Sequence, residues 1–188
     1  MIRLVLMGPP GAGKGTQAVV IANELGTAHV ATGDIFRANV ADETELGIEA
    51  KRYMDAGEYV PDSVTNDMVR DRLTQADASG GFLLDGYPRT VAQVDELDKM
   101  LAASGHSLDK VVALTVDTDE VVTRLMKRAA EQGRSDDTED VIRRRLALYA
   151  AQTEPLLNVY RERGLLAEVD GLGPVKEVTA RVIAALRD

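Results

Sequence analysis

Residues 8 to 16 read Gly8-Pro9-Pro10-Gly11-Ala12-Gly13-Lys14-Gly15-Thr16. They stand between a short apolar run, Ile2 to Met7, and a stretch from Lys14 to Leu25 in which Ala18, Ile21, Ala22 and Leu25 share one helical face. A strand, a glycine-rich turn and a helix in that order direct several backbone N–H groups into one small volume, where the positive end of the helix dipole adds to them. Such a volume takes an anion, and Lys14 sets a cation at its edge. A glycine turn that merely reversed the chain would require neither the lysine nor the helix.

The remaining sequence extends this unit. A second short strand at Ala28 to Ala31 leads into a helical stretch from about Gly33, and Leu46 to Ala56 keeps helical spacing until Gly57. Pro61 and Asp62 suit the start of a helix running to about Gln75. Gly81 to Asp85 is an apolar strand ending in a carboxylate, followed by the turn Gly86-Tyr87-Pro88 and a helix from about Val91. Val111 to Val116 repeats the strand signal, and a helix follows from about Glu120. Polar residues dominate Ala130 to Asp137, and Val141, Leu146, Leu148, Leu156 and Leu157 mark a long helix. Leu165 to Val169 is a fifth strand, and a last helix follows Pro174. Five short apolar strands separated by helices predict an α/β fold with three layers, a five-stranded parallel sheet between two layers of helices.

Composition narrows the function classes. The 188 residues are 45% apolar, enough for one sizeable core. A net charge of -9 repels phosphate backbones, so nucleic acid is a poor default partner. There is no cysteine, which excludes a disulfide framework and a structural zinc site built on thiolates, and suits a reducing, cytoplasmic setting. No uninterrupted apolar stretch reaches about 18 residues, so no membrane span is expected.

Gly8, Gly13 and Lys14 agree with the general P-loop pattern, but that pattern next asks for Ser or Thr, where this chain has Gly15 and then Thr16. With that departure, GPPGAGKGTQA closely resembles the loop of the adenylate kinase family. Ala31 to Arg37 resembles the family's STGD-x-x-R, Gly57 to Asp62 its G-x-x-V-P-D, Phe82 to Arg89 its FLLDG-[FY]-PR, and Gly133 to Asp137 its GR-x-DD. The motifs occur in order along essentially the whole chain, and Thr32 matches adenylate kinases rather than the related uridylate-cytidylate kinases. Magnesium-dependent transfer from ATP to AMP, giving two ADP, is what this resemblance implies.

It also implies where the substrates sit. Gly11, Ala12, Gly13, Lys14, Gly15, Thr16, Arg124, Arg128 and Gly173 would hold ATP. Thr32, Arg37, the Glu58-Tyr59-Val60 backbone, Gly86, Tyr87, Pro88, Arg89, Gln93, Arg134 and Arg145 would hold AMP. Lys14, Arg89, Arg128, Arg134 and Arg145 would stabilise the transferring phosphoryl group, since this chemistry needs positioning and charge rather than a covalent nucleophile. Residues 31 to 60 would form a mobile AMP flap, residues 127 to 137 a short mobile lid, and the enzyme is expected to be a monomer.

Several residues carry a second reading. Thr90-Val91-Ala92-Gln93 is also a capping box. Asp136 and Asp137 could cap the next helix. Asp85 closes an apolar strand as a magnesium-holding Walker B carboxylate does, or as a buried turn-capping residue would. Arg37 and Arg89 could be surface charges, and Gly173 an ordinary loop glycine. A nucleotide-dependent switch would be expected to carry a guanine-reading NKxD motif, which the chain lacks. His29 and His106 belong to no motif.

Overall fold

The structure, a computed structural model, describes residues 2–134 and 137–187. Its five strands are β1 (Arg3–Met7), β2 (Ala28–Ala31), β3 (Phe82–Asp85), β4 (Lys110–Thr115) and β5 (Leu166–Asp170). All pairings are parallel, in the spatial order β2-β3-β1-β4-β5. The strands are apolar at nearly every position because both faces are covered. On one face Val5, Met7, Leu84 and Val111 pack with Leu97 of α5 (Val91–Ala103) and Tyr160 of α8 (Leu156–Glu162). On the other, Leu4, Leu6, Leu83 and Val112 pack with Ile21 of α1 (Lys14–Leu25) and Val182 of α9 (Val175–Ala185).

The sheet register places the chemistry at one edge. Asp85 is level with both Leu6 and Ala31, and Met7 is level with Ala113. The loops leaving β1, β2 and β3 therefore start side by side at the carboxyl ends of their strands. In this order the connections diverge on either side of β1, the place where α/β sheets open a binding crevice.

Outside the sheet, α2 (Thr32–Ala41), α3 (Glu45–Ala56) and α4 (Asp62–Thr74) follow β2. Phe36, Ala50 and Val60 form their own small cluster there. The helix after β4, α6, spans Thr118–Gln132, begun by Asp117 accepting from the Glu120 amide and ended at Gly133. Residues 127 to 132 of the expected lid are thus helical. Lys, Arg, Ala, Glu and Gln are all good helix formers, so the polar stretch from Ala130 begins inside the helix.

The long helix expected from Val141 to Leu157 is interrupted, which corrects the sequence reading. It comprises α7 (Glu139–Leu148), a π-helical turn (Tyr149–Thr153) and α8. The Glu154 amide bonds the Tyr149 carbonyl 2.9 Å away, five residues back. Pro155 has no N–H to give and its ring crowds the preceding turn, so the helix widens just before it. Among the described residues no helix is long and apolar enough to cross a membrane.

Candidate functional site

The loop between β1 and α1 lies against β4. Gly8 has φ +150, and a Cβ there would stand 2.9 Å from the Leu114 carbonyl oxygen, so only glycine allows this approach. Lys14 begins α1 and curls back, its Nζ donating to the carbonyls of Gly8 (2.8 Å) and Pro9 (3.0 Å). Burial lowers its pKa to about 8; Asp85 opposes the shift, while Arg89, Arg145 and Arg128 add to it. A lysine so placed gains its full charge when an anion arrives.

Two clefts open from this loop. One, of about 990 Å³ including its mouth, runs under α2 and the 57–60 segment. The other, of about 1360 Å³, runs between the loop, α6 and Arg134. Both are lined by Lys14, Arg37, Arg89 and Arg145, so four cationic side chains stand where the clefts meet. Two bound anions would touch there.

The first cleft gathers Thr32, Arg37, Glu58, Tyr59, Val60, Gly86, Tyr87, Pro88, Arg89, Gln93 and Arg145, all of the expected AMP set except Arg134, which lines the second. Thr32 donates to the Gly86 carbonyl at 3.0 Å, tying the end of β2 to the turn after β3. A Cβ on Gly86, whose φ is +83, would stand 2.8 Å from the Thr32 hydroxyl and 2.9 Å from an Arg89 nitrogen. Arg89 is not a free surface charge. Its Nε donates to the Gly86 carbonyl at 2.7 Å, and its guanidinium lies over the Tyr59 ring, 5.2 Å from the centroid. Arg37 pairs with Asp34 at 2.6 Å.

Gln93 is 1% exposed, with one hydrogen bond at each end of its side-chain amide. Oε1 accepts from the Arg89 amide (2.7 Å) and Nε2 donates to Asp62 (2.8 Å). The capping box is half formed. The Thr90 hydroxyl accepts from the Gln93 amide, while the Gln93 side chain reaches Arg89, one residue before the cap.

In the second cleft Gly11, Gly13, Lys14, Gly15, Thr16, Arg124, Arg128 and Arg134 line the wall. Ala12 is buried, and its carbonyl accepts from Arg124 at 3.3 Å. Arg124 also donates to the Gly171 carbonyl and pairs with Glu120. Gly173 lies two residues beyond Gly171 and is not part of the cleft wall.

Sequence reasoning missed the pairing of Asp137. Its side chain is 0% exposed and accepts from Arg128 at 2.6 and 2.5 Å and from Arg145 at 2.9 Å. Burial opposes its charge, but Arg128, Arg145 and Arg134 outweigh that and hold it below the ordinary carboxylate range. Thr138, not Asp137, occupies the N-cap of α7, which corrects the capping reading. Ser135 and Asp136, from the same motif, lie outside the described residues.

Asp85 is the candidate metal ligand. Its carboxylate lines the second cleft, 3.7 Å from where a Gly15 Cβ would stand. Burial disfavours its charge, but His29, with Nε2 3.9 Å away, and then Lys14 and Arg89 keep it ionised. The described residues include no cluster of three His, Cys, Asp or Glu side chains. A lone carboxylate facing a phosphate loop fits magnesium, which takes one or two carboxylates and fills its octahedron with phosphate oxygens and water.

Comparison with known proteins agrees with this geometry. The family model for adenylate kinase matches residues 6–165. The adenylate kinase of Nocardioides sp. is 65% identical over 185 residues, covering 98% of this chain and 97% of that protein. Those of Kocuria rhizophila and Renibacterium salmoninarum are 63% and 62% identical over 186 residues, covering 99% of this chain and 99% and 96% of theirs.

Proposed function

Because this chain belongs to the adenylate kinase family, which transfers a phosphoryl group reversibly from ATP to AMP to give two ADP, we propose that ATP occupies the cleft beside α6 and AMP the cleft under α2. The junction of the two clefts at Lys14, Arg37, Arg89 and Arg145 is the observation that carries this assignment. Two polyanions meeting there would repel each other without those charges, and an in-line transfer spreads new charge over oxygens that the same groups can reach.

Lys14 exchanges the Gly8 and Pro9 carbonyls for ATP phosphate, joined by the loop amides of residues 11 to 16. Arg89 and Arg37 hold the AMP phosphate. Arg128, Arg134 and Arg145 stabilise the group in flight. Asp85 would hold magnesium, which when bound would supply screening and polarisation of the ATP phosphates. Residues 31 to 60 and the segment around Gly133 close over the substrates and keep out water, which would otherwise turn transfer into hydrolysis. The same reading makes the enzyme a cytoplasmic monomer.

A coupled assay of ADP formation with AMP, UMP, CMP and GMP as acceptors tests the assignment. AMP is expected to be strongly preferred, and Gln93→Leu to erode that preference while the KM for ATP stays put. Unchanged AMP preference in the variant would remove Gln93 from base recognition. A further expectation concerns protons. With the Lys14 pKa at about 8 in the empty site, ATP binding at about pH 8.5 takes up a proton. Calorimetric titrations in two buffers of different ionisation enthalpy should give different heats, and equal heats would contradict the expectation.

A further inference from the structure

Three segments remote in sequence meet at one buried hydroxyl. Thr153 ends the π-helical turn, is 5% exposed and lines the first cleft. Its hydroxyl bonds the Arg89 carbonyl at 2.8 Å and lies 2.6 Å from the Tyr59 hydroxyl. A carbonyl can only accept, so the single Thr153 proton goes to Arg89 and Tyr59 must donate to Thr153. The relay thus has one direction, from Tyr59 to Thr153 to Arg89. It holds Arg89 from below, while Gly86 takes its Nε, Gln93 its amide, and the Tyr59 ring faces its guanidinium.

We infer that Thr153 is a positioning residue for the phosphoryl acceptor, which with Tyr59 fixes the Arg89 guanidinium and ties the 57–60 segment to the body of the protein before AMP arrives. The inference rests on reading the Arg89 cleft as the AMP site. Preorganisation of this kind lowers the cost of ordering charged groups around a bound anion. Its loss falls chiefly on the acceptor, because Tyr59 and Thr153 line the first cleft and not the second, and Arg89, which lines both, is the residue assigned to the AMP phosphate. A π turn is a common way to aim one side chain out of helical register at a working site. Here it aims the hydroxyl that completes the relay.

Steady-state kinetics on the full chain test the inference. Thr153→Val removes the hydroxyl and keeps the branched shape. It should raise the KM for AMP about five- to tenfold, the loss expected for one or two buried hydrogen bonds, and leave the KM for ATP within about twofold. Thr153→Ser should restore the KM for AMP. Tyr59→Phe, which keeps the ring, should raise it about two- to threefold and add nothing when combined with Thr153→Val. A packing role alone would shift the melting temperature and both KM values together, and serine would not correct it selectively.

An unchanged KM for AMP in Thr153→Val, a parallel rise for ATP, or failure of the serine variant would overturn the inference. Should Thr153→Val not fold, Tyr59→Phe decides: an unchanged KM for AMP overturns the relay. Arg89→Ala separates the two levels. If it leaves the KM for AMP unmoved, the cleft assignment fails; if it raises that KM and Thr153→Val does not, the relay alone fails.

Discussion

Replacing Lys14 by methionine is expected to lower kcat by at least about two to three orders of magnitude while leaving the empty protein more heat-stable than the parent. The activity loss follows from removing the charge shared by both clefts at their junction. The stability gain follows from burial. Folded Lys14 releases its proton near pH 8 and the unfolded chain keeps it to about 10.5, so between those values the unfolded state binds more protons. The penalty of the buried charge is therefore complete below about pH 8 and fades as pH rises through that window. At about 1.4 kcal/mol per pKa unit its ceiling is about 3 kcal/mol. Loss of the bonds to the Gly8 and Pro9 carbonyls offsets much of this, leaving about 1 kcal/mol, or roughly 2–4 °C in Tm. Thermal melts without nucleotide and a coupled assay give both numbers. A lower Tm in the variant would show that those two bonds outweigh the desolvation.

Asp137→Ala should move stability the opposite way. Its buried carboxylate neutralises Arg128 and Arg145, whose side chains are only 25% and 22% exposed. Removing one member of such a group costs about 3 kcal/mol, because the charges left behind stay desolvated. A Tm lower by roughly 6–12 °C is expected. The two arginines also lose the anchor that sets their spacing, and misplacement by about 1 Å can cost a hundredfold in rate. Asp137→Asn keeps the shape and loses the charge. Because the folded pKa of Asp137 is depressed, its contribution is present above the ordinary carboxylate range and disappears as pH falls below it. The parent should therefore lose its advantage over Asp137→Asn in acid. An advantage that is flat with pH would mean the carboxylate acts through packing.

The phosphate loop and the sheet were legible in the sequence because continuous apolar runs broken by Gly and Pro leave few alternatives. The end of α6 is not legible in the sequence because Lys127 to Gln132 has no apolar face, and periodicity says nothing about a solvated helix end. The Asp137 pairing was illegible for another reason. It joins Arg128 on α6 to Arg145 on α7 through a carboxylate between the helices, and depends on how those helices approach. Gln93 lay between two readings, and the structure engages its amide with Arg89 and Asp62 in a way that neither describes. The motifs did locate most residues of the first cleft, although Leu6, Met7, Met54, Thr65, Tyr149 and Thr153 belonged to none of them.

The π turn also has a consequence for the length of the chain. A π turn holds one residue more than the α-helical path requires, and each residue turns an α-helix by about 100°. Deleting a single residue between Tyr149 and Thr153 would let α7 run on regularly and would remove the widened turn that aims the Thr153 hydroxyl at the Arg89 carbonyl. Substitutions here can be graded by chemistry, but a frameshift in the helical count cannot. Apart from Thr153, this segment should therefore drift in sequence while holding its residue number, whereas Gly133, with no described atom within 4 Å of where a Cβ would stand, marks a place where chain can be added or removed.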